Sequence, residues 1–380
     1  MNKEHHIYAD YVEGKALDQF YSAMKMDFAL KGALMPDTHA GYSLPIGGVV
    51  ATEGVVIPAW VGFDIGCGMC AIQVPVEPEQ VKQHAQSIYE EIYRTVPVGF
   101  AVNTKSAEHA TELDINDLTE AGRKVALSER KPGRAWQYAL GSLGGGNHFI
   151  EVGADEKSGV WVVIHSGSRG IGHGIATHYM KLAGGGRARE GHYPLRVDSD
   201  AGQEYINDMN WALQYALDNR KEMILRVEQA IMKFCEPAEE AFLTSMINRN
   251  HNHATQREVD GKEVWIHRKG ATHAEEGMMG VIPGNMRDGS FIVKGKGNPD
   301  SLYSSSHGAG RVMGRKEAKR QLDAEEFKKI MSDADIVART EEGTLDECPL
   351  AYKSIFEVME QQKDLVEVVA HVRPILNIKG

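Results

Sequence analysis

LPIGGVVATEGVVIPAWVGFDIGCGMC, residues 44–70, is the stretch from which the fold can be read. Residues 44–63 are β-branched and apolar, with glycines at 47, 48, 54 and 62. That composition predicts short strands joined by tight turns. The stretch ends in DIGCGMC, where Asp64, Cys67 and Cys70 sit in a glycine-rich turn that follows an apolar strand. Side chains converge at such turns, and a carboxylate beside a thiolate suits a divalent transition metal. Cys67 and Cys70 also form a CxxC, which a redox pair or half of a zinc site would share. No second CxxC follows; Cys235 lies in a helical pattern and Cys348 precedes a proline.

Outward from this stretch, residues 76–95, 115–130, 198–234, 315–332 and 351–363 carry helical patterns. The clearest is 198–234, which opens with aspartates and a serine and contains no proline. Strand-like runs at 161–167, 263–270 and 290–295 each end in a polar, glycine-bearing turn, and 365–372 is a further apolar run. Residues 185–197 (GGRAREGHYPLRV) read as a mobile loop. Strands and helices alternate without a regular βαβ rhythm, which favours an α+β or mixed α/β fold.

The chain has 380 residues, 42% hydrophobic and 25% charged, ordinary values for a globular protein. No run approaches the roughly 20 apolar residues of a membrane span. The first ten residues are polar and lack a signal-peptide pattern, so the protein is read as cytoplasmic. Four cysteines are too few for a disulfide framework at this length. The net charge of −11 argues against a broad, non-specific nucleic-acid binder, but a local basic site is compatible with it. The densest basic cluster, Arg311, Arg315, Lys316, Lys319 and Arg320, reads equally well as a solvated helix face.

Four more glycine-rich turns offer chemistry. In LGGGNHFIE (143–151), three glycines permit close backbone approach to a ligand, and Asn147 and His148 follow them. In HSGSRGIG (165–172), a strand delivers His165, and the loop then presents hydroxyls, amides and Arg169, a set that suits a phosphate. Its glycine spacing is not the dinucleotide fingerprint, and the chain has no phosphate-binding GxxxxGK[ST] loop. In NHNH (250–253), residue alternation on an extended segment makes His251, His253 or both candidate ligands. In SSSHGAGR (304–311), His307 precedes small residues and has an uncrowded ring, as a nucleophile or ligand requires. The turn around Asn285 and Ser290 looks ligand-lining, and Lys379 is placed to close a site from the C-terminus. Jointly these turns offer an Asp, a Cys and at least three His, more donors than one metal needs, so a dinuclear site with a spare histidine is reasonable.

At this point the motifs resemble a known family, the RtcB RNA ligases. The resemblance rests on MPDTHAGYSLPIGGVV (35–50), VGFDIGCGM (61–69), LGGGNHFIE (143–151), HSGSRGIG (165–172), HRKGAT (267–272), IPGNM (282–286), SHGAGRVMGR (306–315) and the terminal IKG (378–380), in the family's order. It implies one compact α+β domain over residues 1–380, with two packed β-sheets flanked by helices. It also implies two Mn²⁺ ions held by Asp64, Cys67, His148, His165 and His251, with the thiolate bridging. His307 would be the nucleophile that takes GMP from GTP. Asn147, Glu151, Asn285, Ser290, Ala309, Gly310 and Lys379 would line the nucleotide pocket, and Arg169 would meet an RNA phosphate.

The reaction implied joins a 2′,3′-cyclic phosphate or 3′-phosphate RNA end to a 5′-hydroxyl, in RNA repair or tRNA splicing. The partners that the resemblance implies are broken tRNA or rRNA and an archease-like activator. The sequence departs from the family at Asn285 (usually Ser), Arg287 (usually Gly), His253 and Cys70, as a divergent, shorter paralogue would. Two other readings use the same residues. One is a dinuclear-metal phosphohydrolase acting on RNA ends without ligation, which makes no use of His307. The other is a redox or zinc module built on Cys67 and Cys70.

Overall fold

The computed structural model describes residues 3–127, 136–186, 191–238 and 245–380. A five-stranded sheet runs in the order Glu4–Ile7, Ala29–Tyr42, Leu44–Thr52, Lys262–Lys269, Asn252–Val259. A larger sheet runs Met279–Pro283, Ser290–Gly295, Val366–Lys379, Phe149–Ala154, Val160–Ser166, Gly68–Val74, Ile247–Asn250, with Val337–Ala338 alongside Val366–Lys379. Among the described strands only Glu4–Ile7 and Val337–Ala338 pair parallel to their neighbours. The class is α+β.

Strand alternation explains how the layers close. On one face of the smaller sheet Ala33, Met35, Val49, Val264 and Ile266 pack with Ile282, Phe291, Val293 and Val366 of the larger one. The opposite face of the smaller sheet, with Leu34 and Val50, is covered by residues of helices Gly14–Met24, Arg169–Ala183 and Asp200–Met232. The larger sheet buries Cys70, Val74, Ile150, Val162 and Ile164 against Ala85–Thr95 and the same long helix. No helix of the described residues is long and apolar enough to cross a membrane.

Local chemistry sets the element ends, and several differ from the sequence reading. The stretch 44–63 forms strands Leu44–Thr52 and Val55–Val56, but Pro58 at a helix start turns its end into a short helix, Pro58–Val61. The 76–95 pattern is two helices, Pro78–Gln83 and Ala85–Thr95, that meet at His84 (φ −106°, ψ 11°). The 315–332 pattern is likewise split into Arg315–Gln321 and Ala324–Asp333, because Asp323 leaves helical geometry to cap the second helix at the Glu326 amide. The 198–234 pattern is one helix, Asp200–Met232, capped by the Ser199 hydroxyl. In 115–130, a short 3₁₀ turn precedes Glu120–Ala126, and 128–130 lie outside the described residues. The 351–363 pattern narrows to Ile355–Gln361. Of the loop read at 185–197, Leu195–Arg196 pairs with Val55–Val56, and 187–190 lie outside the described residues.

Two features position the site. First, the chain changes sheets at His251: Ile247–Asn250 is the edge of the larger sheet and Asn252–Val259 the edge of the smaller. Second, the long helix places Asn219 and Arg220, both fully buried, beneath the turns that carry the candidate ligands. The Arg220 guanidinium donates to Gly66 O (2.9 Å), Ser166 O (2.8 Å), Asn248 Oδ1 (2.7 Å) and Asn250 Oδ1 (2.6 Å). Asn219 donates to Ser142 O, Ser166 Oγ and Gly167 O and accepts from the Gly141 and Ser142 amides.

Replacing Arg220 by methionine nearly keeps the volume but strands the buried carbonyls of Gly66 and Ser166 and the half-buried amide oxygens of Asn248 and Asn250. At about 1–3 kcal/mol for each unsatisfied buried group, the expected loss of stability is about 2 kcal/mol or more, read as the shift in denaturant midpoint. A loss below about 1 kcal/mol would show that the guanidinium does not hold these turns.

Candidate active site

The Asp64 turn reverses with Gly66 at φ +77°, a left-handed position that disfavours a side chain, and presents Cys67. Gly68 then lets strand Gly68–Val74 begin against Ile247–Asn250; a Cβ there would lie 2.1 Å from Arg249 O. His165 comes from the end of strand Val160–Ser166, and His148 from the glycine turn before Phe149–Ala154. His251, at the sheet change, has its amide bonded to Cys67 O at 2.7 Å, which fixes the corner to the thiol turn.

The imidazoles are oriented from behind. His148 Nδ1 meets Leu143 O at 2.9 Å and His165 Nδ1 meets Asn147 O at 3.1 Å. A carbonyl only accepts, so both Nδ1 atoms carry the proton and both Nε2 atoms present lone pairs. His148 Nε2 lies 3.5 Å from Cys67 Sγ and 3.3 Å from Asp64 Oδ2. His165 Nε2 lies 3.1 Å from Cys67 Sγ and 3.3 Å from His251 Nε2. Donor atoms thus gather in two overlapping sets, Asp64–Cys67–His148 and Cys67–His165–His251, each within 4.8 Å, and Cys67 belongs to both. Burial first, then the neighbouring imidazoles, pushes His165 and His251 well below the ordinary histidine value, so both rings are neutral. The Cys67 S–H and an Nε2–H of His251 are the protons available to the His165 Nε2 lone pair, and a divalent cation that displaces them would meet sulfur and nitrogen donors. The donor set fits divalent metal, with Cys67 common to both groups.

His307 stands over this set, its ring 4.8 Å from that of His251. Its Nδ1 lies 2.6 Å from Oδ2 of the fully buried Asp37, which also accepts from the His307 and Gly308 amides. The carboxylate oxygen accepts, so the proton sits on Nδ1 and the Nε2 lone pair is the free one. Beyond the ring opens a cavity of about 250 Å³, walled by Asn147, Phe149, Glu151, Asn285, Ala309, Gly310 and Lys379, with His39, Arg311, Arg315 and Tyr352. Burial raises the Glu151 carboxyl to about 8 against the opposing pull of Ser290 and Lys379. On the neighbouring strand Lys379, in register with Phe149, pairs with Glu347 at 2.8 Å, and Arg311 and Arg315 pair with the same carboxylate. Burial works to raise Glu347, but Lys379 and Arg315 hold it at about 2. Three cations against Asp346 and Glu347 leave this wall positive in a chain of net charge −11.

All five residues expected at the metals come together here, as does His307. Of the residues expected at the nucleotide, Ser290 is fully buried beside Glu151 rather than on the wall. Asn285 is on the wall, but its amide group is committed to its own turn through Asp288 Oδ2 and the Arg287 and Asp288 amides. Arg169 is half-buried and donates to Ser142 Oγ and Gly99 O. Alternation fails at 250–253 because the sheet change twists the backbone: His253 points away, stacked on His273 and bonded to Arg268. Cys70 also points away into the apolar core while Cys67 joins the donor set, against the redox pairing. Arg311 and Arg315 turn inward and are not a solvated face. Sequence reasoning missed Asp37 and His39, although both lie in the MPDTH motif, and missed Glu347 and Tyr352, which no local pattern marks.

The family described as "tRNA-splicing ligase RtcB" matches residues 19–380. The RNA-splicing ligase RtcB of Escherichia coli K12 is 36% identical over 394 residues, covering 97% of this chain and 95% of that protein. The tRNA-splicing ligase RtcB of Thermococcus kodakarensis is 30% identical over 461 residues, covering 98% and 94%. The RNA-splicing ligase RtcB2 of another E. coli strain is 29% identical, covering 97% and 93%. The class of protein is therefore an RNA ligase. Within that class the chain belongs to the RtcB family.

Two expectations follow from the site. With Co²⁺ as a spectroscopic probe, Cys67→Ser is expected to abolish the thiolate-to-metal charge-transfer band and to weaken metal affinity beyond the roughly 10–100-fold that a lost supporting hydrogen bond costs. Cys70→Ala is expected to keep the band and cost about 1 kcal/mol of stability; the reverse pattern would restore the CxxC reading. Glu151 has a folded-state value of about 8, above its ordinary 4.5. Its protonation therefore supports folding fully below pH 4.5, and that support is lost as pH rises through about 8. Glu151→Gln is expected to flatten the corresponding part of a plot of melting temperature against pH, and an unchanged plot would place the titration elsewhere.

Proposed function

We propose that this RNA ligase is GTP- and Mn²⁺-dependent, joins 2′,3′-cyclic phosphate or 3′-phosphate RNA ends to 5′-hydroxyl ends, and works through a His307–GMP intermediate. The observation that carries the reading is the Asp37–His307 pair, set between the metal-donor cluster and the cavity. Asp37 holds the Nδ1 proton and leaves Nε2 as the nucleophile. Its attack on the α-phosphate of GTP forms the N–P bond as pyrophosphate leaves. GMP then passes to the RNA 3′-phosphate, a 5′-hydroxyl attacks that activated phosphate, and GMP departs. Asp64, Cys67 and His148 would hold one Mn²⁺, and Cys67, His165 and His251 the other, together supplying charge neutralisation at the reacting phosphate oxygens.

Asn147, Glu151, Ala309, Gly310 and Lys379 would hold the nucleotide within the cavity walls, with Asn285 at the rim and Ser290 bracing Glu151. The positive wall of Arg311, Arg315 and Lys379 suits the triphosphate, and Arg169 a phosphate of the RNA. The biological setting we propose is repair of broken tRNA or rRNA, or tRNA splicing, in the cytoplasm, with an archease-like protein as activator.

The test is incubation with Mn²⁺ and α-³²P-GTP, followed by a denaturing gel. Wild type is expected to take an acid-labile label and His307→Ala none. Asp37→Asn is expected to label about 10²–10⁴-fold more slowly, because the amide no longer fixes the imidazole tautomer. A wild-type protein with bound metal and no label would sink the histidine–GMP reading in favour of a phosphohydrolase.

A further inference from the structure

Tyr42, Phe63 and His173 form an aromatic surface that the chemistry above does not use. The Phe63 and His173 rings stack at 5.1 Å and 25°, and Tyr42 meets Phe63 edge-on at 6.2 Å and 85°. Tyr42 is 57% exposed, His173 is exposed and Phe63 half-buried, so the rings are open to solvent. Three separate elements bring them together. Tyr42 ends strand Ala29–Tyr42 at a hairpin tip where Ser43 takes φ +61°. Phe63 follows Gly62, a left-handed glycine at φ +95°, and His173 lies one turn into helix Arg169–Ala183. The hairpin tip is held in place from inside: Lys269 donates to Tyr42 O and also to Ala59 O.

Each of the three rings lies within four residues along the chain of a residue placed in or beside the reaction centre. Phe63 is bonded to Asp64, a member of the donor set. His173 is four residues from Arg169. Tyr42 is three residues from His39, which pairs with Ile46 across the hairpin, and both of those line the cavity. An exposed group of rings beside a phosphate-handling centre is what unpaired nucleobases stack on, since every base offers a π-face.

We propose that Tyr42, Phe63 and His173 are a stacking platform for an unpaired nucleobase of the RNA strand next to the end being joined. The base stacks on the Phe63–His173 pair and abuts the Tyr42 edge, which fixes the approach of that end to the metal-donor cluster. The platform selects single-stranded ends over paired ones and is tolerant of base identity. The inference rests on the proposed placement of the reaction centre at Asp64 and His307.

The test measures ligation KM for RNA, and RNA binding by fluorescence anisotropy, using oligonucleotides that are either intact or abasic at the two nucleotides next to each end. Wild type, Tyr42→Ala, Tyr42→Phe and His173→Ala are compared at equal melting temperature. Tyr42→Ala and His173→Ala are expected to weaken binding and raise KM for RNA by about 5- to 100-fold, with KM for GTP unchanged. Tyr42→Phe is expected to behave as wild type. An abasic end is expected to weaken wild type by a similar factor and to have little further effect on the alanine variants. Equal binding of intact and abasic RNA by wild type, or alanine variants that match wild type on both RNAs, would overturn the platform. Anisotropy needs no turnover, so a protein that takes no GMP label but still discriminates abasic RNA would lose the His307 reading and keep the platform.

Discussion

The guanidinium of Arg220 is the contact on which the site depends. It lies fully buried on the long helix, and its N–H groups end on the backbone of the Cys67 and His165 turns and on Asn248 and Asn250 of the strand that leads to His251. Burying a charge is costly unless its hydrogen bonds are met and opposite charge is near. Here the donors are met, and burial pushes the group down to about 10 against the opposing pull of Cys70, Cys67 and Asp64. Asn219, one residue earlier, ties the glycine turn of His148 to the turn after His165. One turn of one helix therefore sets the relative positions of four loops that are far apart in sequence.

That arrangement explains why the donors sit on turns and at strand ends, with His165 the next-to-last residue of its strand. A strand holds its side chains at a spacing of two residues on a face, which cannot converge five donors on one point. Turns at the ends of Val160–Ser166 and before Gly68–Val74 and Phe149–Ala154, with the sheet change at His251, bring them together from four directions. The backing carbonyls of Leu143 and Asn147 then fix which nitrogen of His148 and His165 faces inward. Rigid strands supply precision, and short glycine turns supply close approach.

The position of His307 is built differently. His307 and Asp37 are 270 residues apart, and their pairing depends on strand Ala29–Tyr42 passing beside the loop after Ser304–Ser306. The cavity wall behind them joins residues from the middle of the chain to Lys379, next to its last residue. A protein of negative net charge thus presents a locally positive wall, because Arg311, Arg315 and Lys379 converge on only two carboxylates. Total charge spreads over the whole surface, while binding responds to the few groups within a screening length.

The sequence by itself determined a mixed or α+β class, the long helix and several of the strands, and it marked the turns carrying Asp64, Cys67, His148, His165, His251 and His307 as candidates, since glycine turns are local patterns with local causes. It also carried the family resemblance, motif by motif. Tertiary structure decided the rest. Whether a basic residue on a helix faces water or a carboxylate depends on what packs opposite, so Arg311 and Arg315 could not be told from Lys316 and Arg320. Cys67 and Cys70 have equivalent side chains, and only strand register sends one to the donor set and the other to the core. Alternation predicts the same face for His251 and His253 as long as the backbone stays extended, and the change of sheet between them removes that premise. Asp37 stands in a quotable motif, yet its role is invisible until a histidine 270 residues away is folded against it. Periodicity and turn chemistry act over a few residues, whereas pairing, burial and charge balance are set by neighbours that only the folded chain supplies.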